Sequence, residues 1–267
     1  ETNKNRQLMV QFSSALINKA FGPDAASQYN DEVYGGKREG YDRLPDFWEI
    51  PQWMAFASNF LPNADVYVVR DMQEAKKFIK GAGYGRVLFS SVDVNKALIK
   101  DLSTSFSGTV DIGGYTVPGT FNDINAKWHE NLESIAQDMG PPYKEGTDYR
   151  HFKESKVIPR LTMSRGCLHK CAFCTVPKQL IEASTELIDQ QAKAFGELDA
   201  KLVYLNDKTF GQAKNYKHLE NVYAVMKEAN PNFKGFIIQT TGTQFLKFDN
   251  AWLKRSGIKY VELGVET

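Results

Sequence analysis

Apolar positions along this chain recur in two periods that take turns. Residues 7–12, Gln7-Leu-Met-Val-Gln-Phe12, predict a short strand, and 20–41, rich in Gly, Asp, Asn and charge, predict a long loop or insertion. Over 50–61 the apolar residues Trp53, Met54, Phe56, Ala57 and Phe60 share one face at the helical period, with Pro51 suited to the first turn, so a core-packing helix is expected there. Strand 65–69, amphipathic helix 71–80 closed by Gly81, strand 86–91, helix 95–105 and strand 109–115 follow. Strands alternating with helices predict a parallel sheet covered on both faces, a doubly wound Rossmann-like α/β domain over 1–120. Gly81-Ala-Gly-Tyr-Gly85 is not a dinucleotide loop, because these glycines follow a helix and precede a strand, the reverse of that fingerprint. The pair Gly113-Gly114 ends the last strand; it would let backbone approach a ligand or make a tight turn, and the turn is the expectation.

Beyond this point Trp128, Leu132, Ile135 and Met139 stand at helical spacing, so 121–139 is expected to form a helix that packs one domain against the other, stopped by Gly140-Pro-Pro-Tyr143. The polar stretch 144–156 carries the domain boundary, giving a helical linker over 121–155. A strand at Ile158 opens the second domain, 156–267. Helix 184–195, strand 201–207, helix 216–229, strand 233–239, helix 250–256 stopped by Gly257, and strand 260–265 complete four β/α units. The chain begins without Met and stops inside a predicted strand, so a longer parent is expected.

Composition adds that 42% hydrophobic and 12% aromatic residues suffice for a packed core. The 33 basic and 32 acidic residues leave a formal charge of +1, with no footprint for nucleic acid or an anionic membrane. No apolar run approaches the roughly 20 residues that span a bilayer, and the start is not a signal peptide. A cytoplasmic protein is expected.

All three cysteines lie within Cys167-Leu-His-Lys-Cys171-Ala-Phe-Cys174. Thiols this close can surround one small inorganic object. Four cysteines normally hold an iron–sulfur cluster, so three would leave one iron of a 4Fe-4S cubane open. Zinc would need a fourth ligand, His169 or His151, and the His169 ring would have to fold back into its own loop. A non-catalytic zinc or iron–sulfur domain therefore stays open as an alternative. Incidental core cysteines would scatter instead of clustering beside Arg165, Lys170 and Lys178, bases that either favour thiolate or form a solvated face.

This loop resembles the Cys-x-x-x-Cys-x-aromatic-Cys signature of the radical S-adenosylmethionine (SAM) enzymes, with Phe173 in the aromatic slot, and Ile158-Pro-Arg-Leu-Thr-Met-Ser-Arg-Gly-Cys167 looks like their strand and lead-in. The resemblance implies that Cys167, Cys171 and Cys174 ligate the cluster and that SAM chelates the open iron. An electron, from a reductant such as flavodoxin or ferredoxin, would then release a 5′-deoxyadenosyl radical that takes hydrogen from a substrate. It also implies that the four β/α units are the front of a truncated (β/α)6 partial TIM barrel, with strands five and six absent. In such barrels the site lies at the C-terminal strand ends, which offers Asn206, Asp207, Gln239, Glu262 and Glu266 to SAM. For Asn206-Asp207 the plain reading is a helix-capping Asp; for Glu262 and Glu266, on one side of a strand, it is a salt bridge within the barrel.

The order of the first domain and the Ile112-Gly-Gly114 strand end resemble the cobalamin-binding domain that precedes the barrel in one subgroup, and Gly264-Val-Glu-Thr267 is similar to a Gly-Ile-Glu-Ser run of that subgroup. Its Asp-x-His-x-x-Gly motif is absent, since no histidine precedes His129. A lower His ligand to cobalt is thereby ruled out, while cobalamin without one, and a cobalamin-dependent radical methyltransferase, stay open. The subfamily that carries a second cluster on N-terminal cysteines is set aside for lack of them.

Overall fold

The computed structural model describes residues 3–21, 37–38, 41–42, 50–153, 158–172, 174 and 176–264. The chain divides into two units, Glu1–His151 and Phe152–Thr267, each mixed α/β on a parallel sheet.

In the first unit the apolar runs become β1 (Asn3–Phe12), β2 (Ala64–Val69), β3 (Tyr84–Ser91), β4 (Thr109–Gly114) and β5 (Ala126–Trp128). They pair in the order β2-β1-β3-β4-β5, all parallel, so the chain reverses its direction of growth between β1 and β3. Helices α1 (Ser14–Phe21), α2 (Gln52–Phe60), α3 (Met72–Gly81), α4 (Lys96–Ser103) and α5 (Leu132–Met139) fill the connections. Leu8, Val10, Phe12, Val87, Phe89, Val110 and Ile112 alternate onto one face, where Ala75 and Ile79 of α3 and Ile99 and Leu102 of α4 share their core. Met9 and Leu88 on the other face are equally buried. Burial on both faces is why β1 and β3 carry the unbroken apolar runs Leu8–Val10 and Val87–Phe89.

The helix expected over 121–139 is corrected. Residues 126–128 form the edge strand β5, in register with β4 through Ile112 and Trp128, and only 132–139 is helical. Asn131 sets that start, because its side chain accepts from the Ser134 N–H at 2.9 Å and completes a capping box. The spacing of Trp128 to Met139 is helical by coincidence: Trp128 instead stacks on Phe121, ring centroids 6.4 Å apart, and the free edge of β4 outweighs the local period. The Gly113-Gly114 pair does serve a close approach, but to the chain itself. Gly114 sits at φ +123°, and a Cβ there would strike the backbone of Ser91 at the end of β3.

Across this sheet Asp138 of α5 is held by Lys127, 2.8 Å away, and by Arg86. The two cations depress its carboxyl to about 2, Lys127 first. Its contribution is therefore fully present above the unfolded value near 3.8 and is lost as pH falls toward 2. Partial exposure and solvent screening hold it to about 1 kcal/mol. Urea melts between pH 5 and 2 should show this loss of stability in the wild type and a correspondingly flatter profile in Asp138→Asn.

In the second unit β6 (Arg160–Leu161), β7 (Leu202–Leu205), β8 (Gly235–Thr241) and β9 (Ile258–Gly264) pair in chain order, all parallel. Between them lie α6 (Thr185–Phe195), α7 (Leu219–Ala229), the single turn α8 (Gly242–Phe245) and α9 (Asn250–Arg255). One face, Leu161, Val203, Leu205, Phe236 and Ile238, is fully buried, as are Ile188 and Phe195 of α6 and Leu219 and Val222 of α7. Register puts Arg160, Tyr204, Gln239 and Glu262 together on the opposite, partly open face. Among the described residues no helix is long and apolar enough to cross a membrane.

Candidate functional site

The three cysteines lie in one loop that the chain ties off at its base. Directly after β6, Ser164–Arg165 pairs antiparallel with Ile181–Glu182, and everything between them is the loop. Two backbone bonds reinforce the tie: Cys167 N–H donates to the Pro177 carbonyl at 3.0 Å, and Ala183 N–H to the Met163 carbonyl at 2.8 Å. Gly166 makes the turn into the first cysteine at φ +84°, and a Cβ on it would overlap the Gln179 carbonyl. An L side chain is strained at such φ; this position needs glycine on both counts.

The segment after β7 supports the loop from beneath. Asp207, 2% exposed, accepts from Met163 N–H at 3.0 Å, Ser164 N–H at 3.1 Å and the Ser164 hydroxyl. Burial pushes its carboxyl up to about 6, prevailing over those donors. Gln212 accepts from Leu168 N–H at 2.9 Å. Asn215 donates to the Met163 and Ala183 carbonyls, and its own N–H donates to Glu182. From α6, buried Gln191 exchanges two hydrogen bonds with the Thr162 backbone. Apart from Asp207, sequence patterns point to none of these supports. They are polar residues without periodicity, whose partners lie some tens of positions away.

Within the loop Cys167 is buried and Cys171 and Cys174 are half-buried. Cys167 Sγ lies 3.4 Å from Thr209 Oγ1, and Cys174 N–H donates to the Cys171 carbonyl at 3.2 Å. Lys178 donates to the Cys174 carbonyl at 3.0 Å, while Arg165 and Lys170 are exposed. His169 Nε2 is buried and, among the described residues, has no hydrogen-bond partner.

On the open face of the sheet Arg160 donates to Asn206 Oδ1 at 2.6 Å and lies 5.0 Å over the Tyr204 ring, whose hydroxyl donates to Glu262 at 2.6 Å. Gln239 is exposed in register with Glu262. The structure thus brings Asn206, Gln239 and Glu262 to one surface and turns the Asp207 carboxylate away from it, onto the loop base. Phe173 and Glu266 lie outside the described residues.

The donor set can be compared with the needs of two kinds of centre. Ligands round one tetrahedral zinc stand about 4 Å apart. Among the described residues the group with such spacing is Asp111, His129 and Asp138 of the first unit, not the cysteines. That group has its charge met internally, since Arg86 reaches both carboxylates, Lys127 reaches Asp138, and His129 Nε2 stands 2.8 Å from Asp111. The guanidinium stands where a cation would. The three thiols do not all lie within 4.8 Å of one another, and their softness is what an iron–sulfur cluster takes as ligand.

The fold is similar to that of solved structures of one enzyme. Two solved structures of the radical S-adenosylmethionine methyltransferase TsrM from Kitasatospora setae match it, one with tryptophan substrate and the SAM analogue aza-SAM bound, the other with cobalamin and a [4Fe-4S] cluster bound. The TM-scores are 0.62 and 0.63 over 97% of this chain at 11% identity. The chain spans 59% and 58% of the length of those two chains. No protein-family model matches the sequence, and no curated protein does.

Proposed function

We propose that this chain is a radical SAM enzyme of the type with a Rossmann-like domain ahead of the barrel, residues 156–267 supplying the first four β/α units. The observation that carries the reading is the tied-off loop after β6, with three thiols and no fourth, in a radical SAM-like fold. Cys167, Cys171 and Cys174 would hold a 4Fe-4S cluster. When bound, the cluster and SAM supply reductive cleavage of the sulfonium bond and the hydrogen abstraction that follows. The chain's own part is positional. Asp207 and Gly166 fix the loop, and Asn206, Gln239 and Glu262 present amide and carboxylate groups on the open face, suited to the amine and hydroxyls of SAM. Phe173 and Glu266 stay in the site by resemblance, and a flavodoxin or ferredoxin would deliver the electron in a reducing cytoplasm.

Anaerobic reconstitution with iron and sulfide tests this. A brown protein with about four irons per chain, whose reduced-cluster EPR spectrum changes on adding SAM, is expected. Zinc retained through purification, with no response to SAM, would sink the reading in favour of a non-catalytic metal domain.

A cobalamin-dependent methyltransferase is the second reading. It is favoured by the strand order β2-β1-β3-β4-β5, whose reversal between β1 and β3 is where such sheets take ligands, and by the buried Ser91 hydroxyl at the end of β3, which has no partner among the described residues. Co-elution of hydroxocobalamin with the anaerobic protein supports it; clean separation on gel filtration removes it.

A further inference from the structure

His169 lies midway between the first two cysteines and has no role in the loop's scaffold. Its neighbours are engaged there: Cys167 N–H is bonded to Pro177, and Leu168 N–H to Gln212. The imidazole Nε2 is shut away from solvent without a hydrogen bond among the described residues. A buried polar atom in that condition costs about 1–3 kcal/mol, a cost that the described residues of the loop do not offset. The partner must therefore arrive with whatever the loop takes up. On the cluster reading, what the three cysteines take up is an iron–sulfur core, so the arriving acceptor is sulfur.

We propose that His169 Nε2–H is a hydrogen-bond donor to a sulfur of the cluster held by Cys167, Cys171 and Cys174, and that it raises the cluster's reduction potential. The proposal rests on the cluster reading above. A donor role fits the position better than ligation, because the ring is tethered between two ligands and would have to fold back to reach an iron, whereas an N–H···S contact spans a longer gap. The sign follows from charge. Reduction adds an electron to an already negative core, and a donor stabilises the more negative state more strongly. His169 would thus be a positioning residue that makes the cluster easier to reduce.

The experiment compares wild type, His169→Leu and His169→Gln, each reconstituted anaerobically with iron and sulfide. Iron content, thermal melting of the apo protein and the midpoint potential from an EPR-monitored redox titration are measured. His169→Leu is expected to keep the wild-type iron content, to melt in the apo form at the same or a higher temperature, since an orphaned polar group has been removed, and to show a more negative midpoint. His169→Gln, which keeps an N–H donor, should recover part of the shift. An unchanged midpoint in His169→Leu overturns the proposal. So does a loss of iron, which would make His169 a ligand, or a lower apo melting temperature, which would make it a structural residue. Failure of the wild type to take up iron and sulfide would instead sink the cluster reading itself, before any variant is compared.

Discussion

Gly166→Ala is expected to leave a protein that no longer takes up iron in the wild-type amount. The residue stands at φ +84°, where an L residue costs about 1–2 kcal/mol. The added Cβ also overlaps the Gln179 carbonyl and meets the Pro177 carbonyl at 3.1 Å. Both are backbone atoms of the returning limb of the same loop, so neither can rotate aside. Relief requires the limbs to part, which gives up the Cys167 N–H bond to Pro177, about 1 kcal/mol more. The total, on the order of 3 kcal/mol, is a large share of the stability of a small domain, and it falls where the first cysteine is aimed. Gly196→Ala is the control: that glycine has helical backbone and nothing within 4 Å of the place its new methyl would take, so stability and iron uptake should be unchanged. Iron per chain after reconstitution, read beside urea melts, separates loop damage from general unfolding.

Much of this is legible in the amino-acid sequence, for reasons that differ by element. β1 and β3 announce themselves because both faces are buried and the runs Leu8–Val10 and Val87–Phe89 are continuous, and the Cys167–Cys174 spacing marks a candidate site. The segment from Phe121 to Met139 misleads because a three-residue edge strand has too few positions to display a period, while Asn131 and Ser134 look like any polar pair until they cap a helix. The candidate site is legible in its three cysteines and illegible in its supports. Thr209, Gln212, Asn215, Glu182 and Gln191 act through one to three hydrogen bonds each across the fold, and nothing in a linear pattern marks such pairs. Asp207 stands out in the sequence for its place at a strand end; its carboxylate proves to be engaged with the loop that precedes the cysteines.

That engagement leads to the second large effect. Asp207→Ala should strip acceptors from two buried N–H groups and one hydroxyl, each at about 1–3 kcal/mol, unfolding the second unit or freeing its cysteine loop. Asp207→Asn is the more informative change, since its remaining oxygen still accepts from the backbone and the Ser164 hydroxyl can turn to accept from the new amide. It also removes a titration. Burial holds the wild-type carboxyl at about 6 against an unfolded 3.8, so the folded protein keeps a proton that the unfolded chain releases. The stability this contributes is complete below pH 3.8 and is lost as pH rises through 6, on the order of 2–3 kcal/mol for two pH units. The asparagine variant has no such slope. Urea melts at about pH 4, 5, 6 and 7, spanning that window, should therefore show the wild type's advantage over Asp207→Asn shrinking with rising pH and levelling above about 6. A constant difference would mean that Asp207 is ionised throughout, its three donors outweighing its burial.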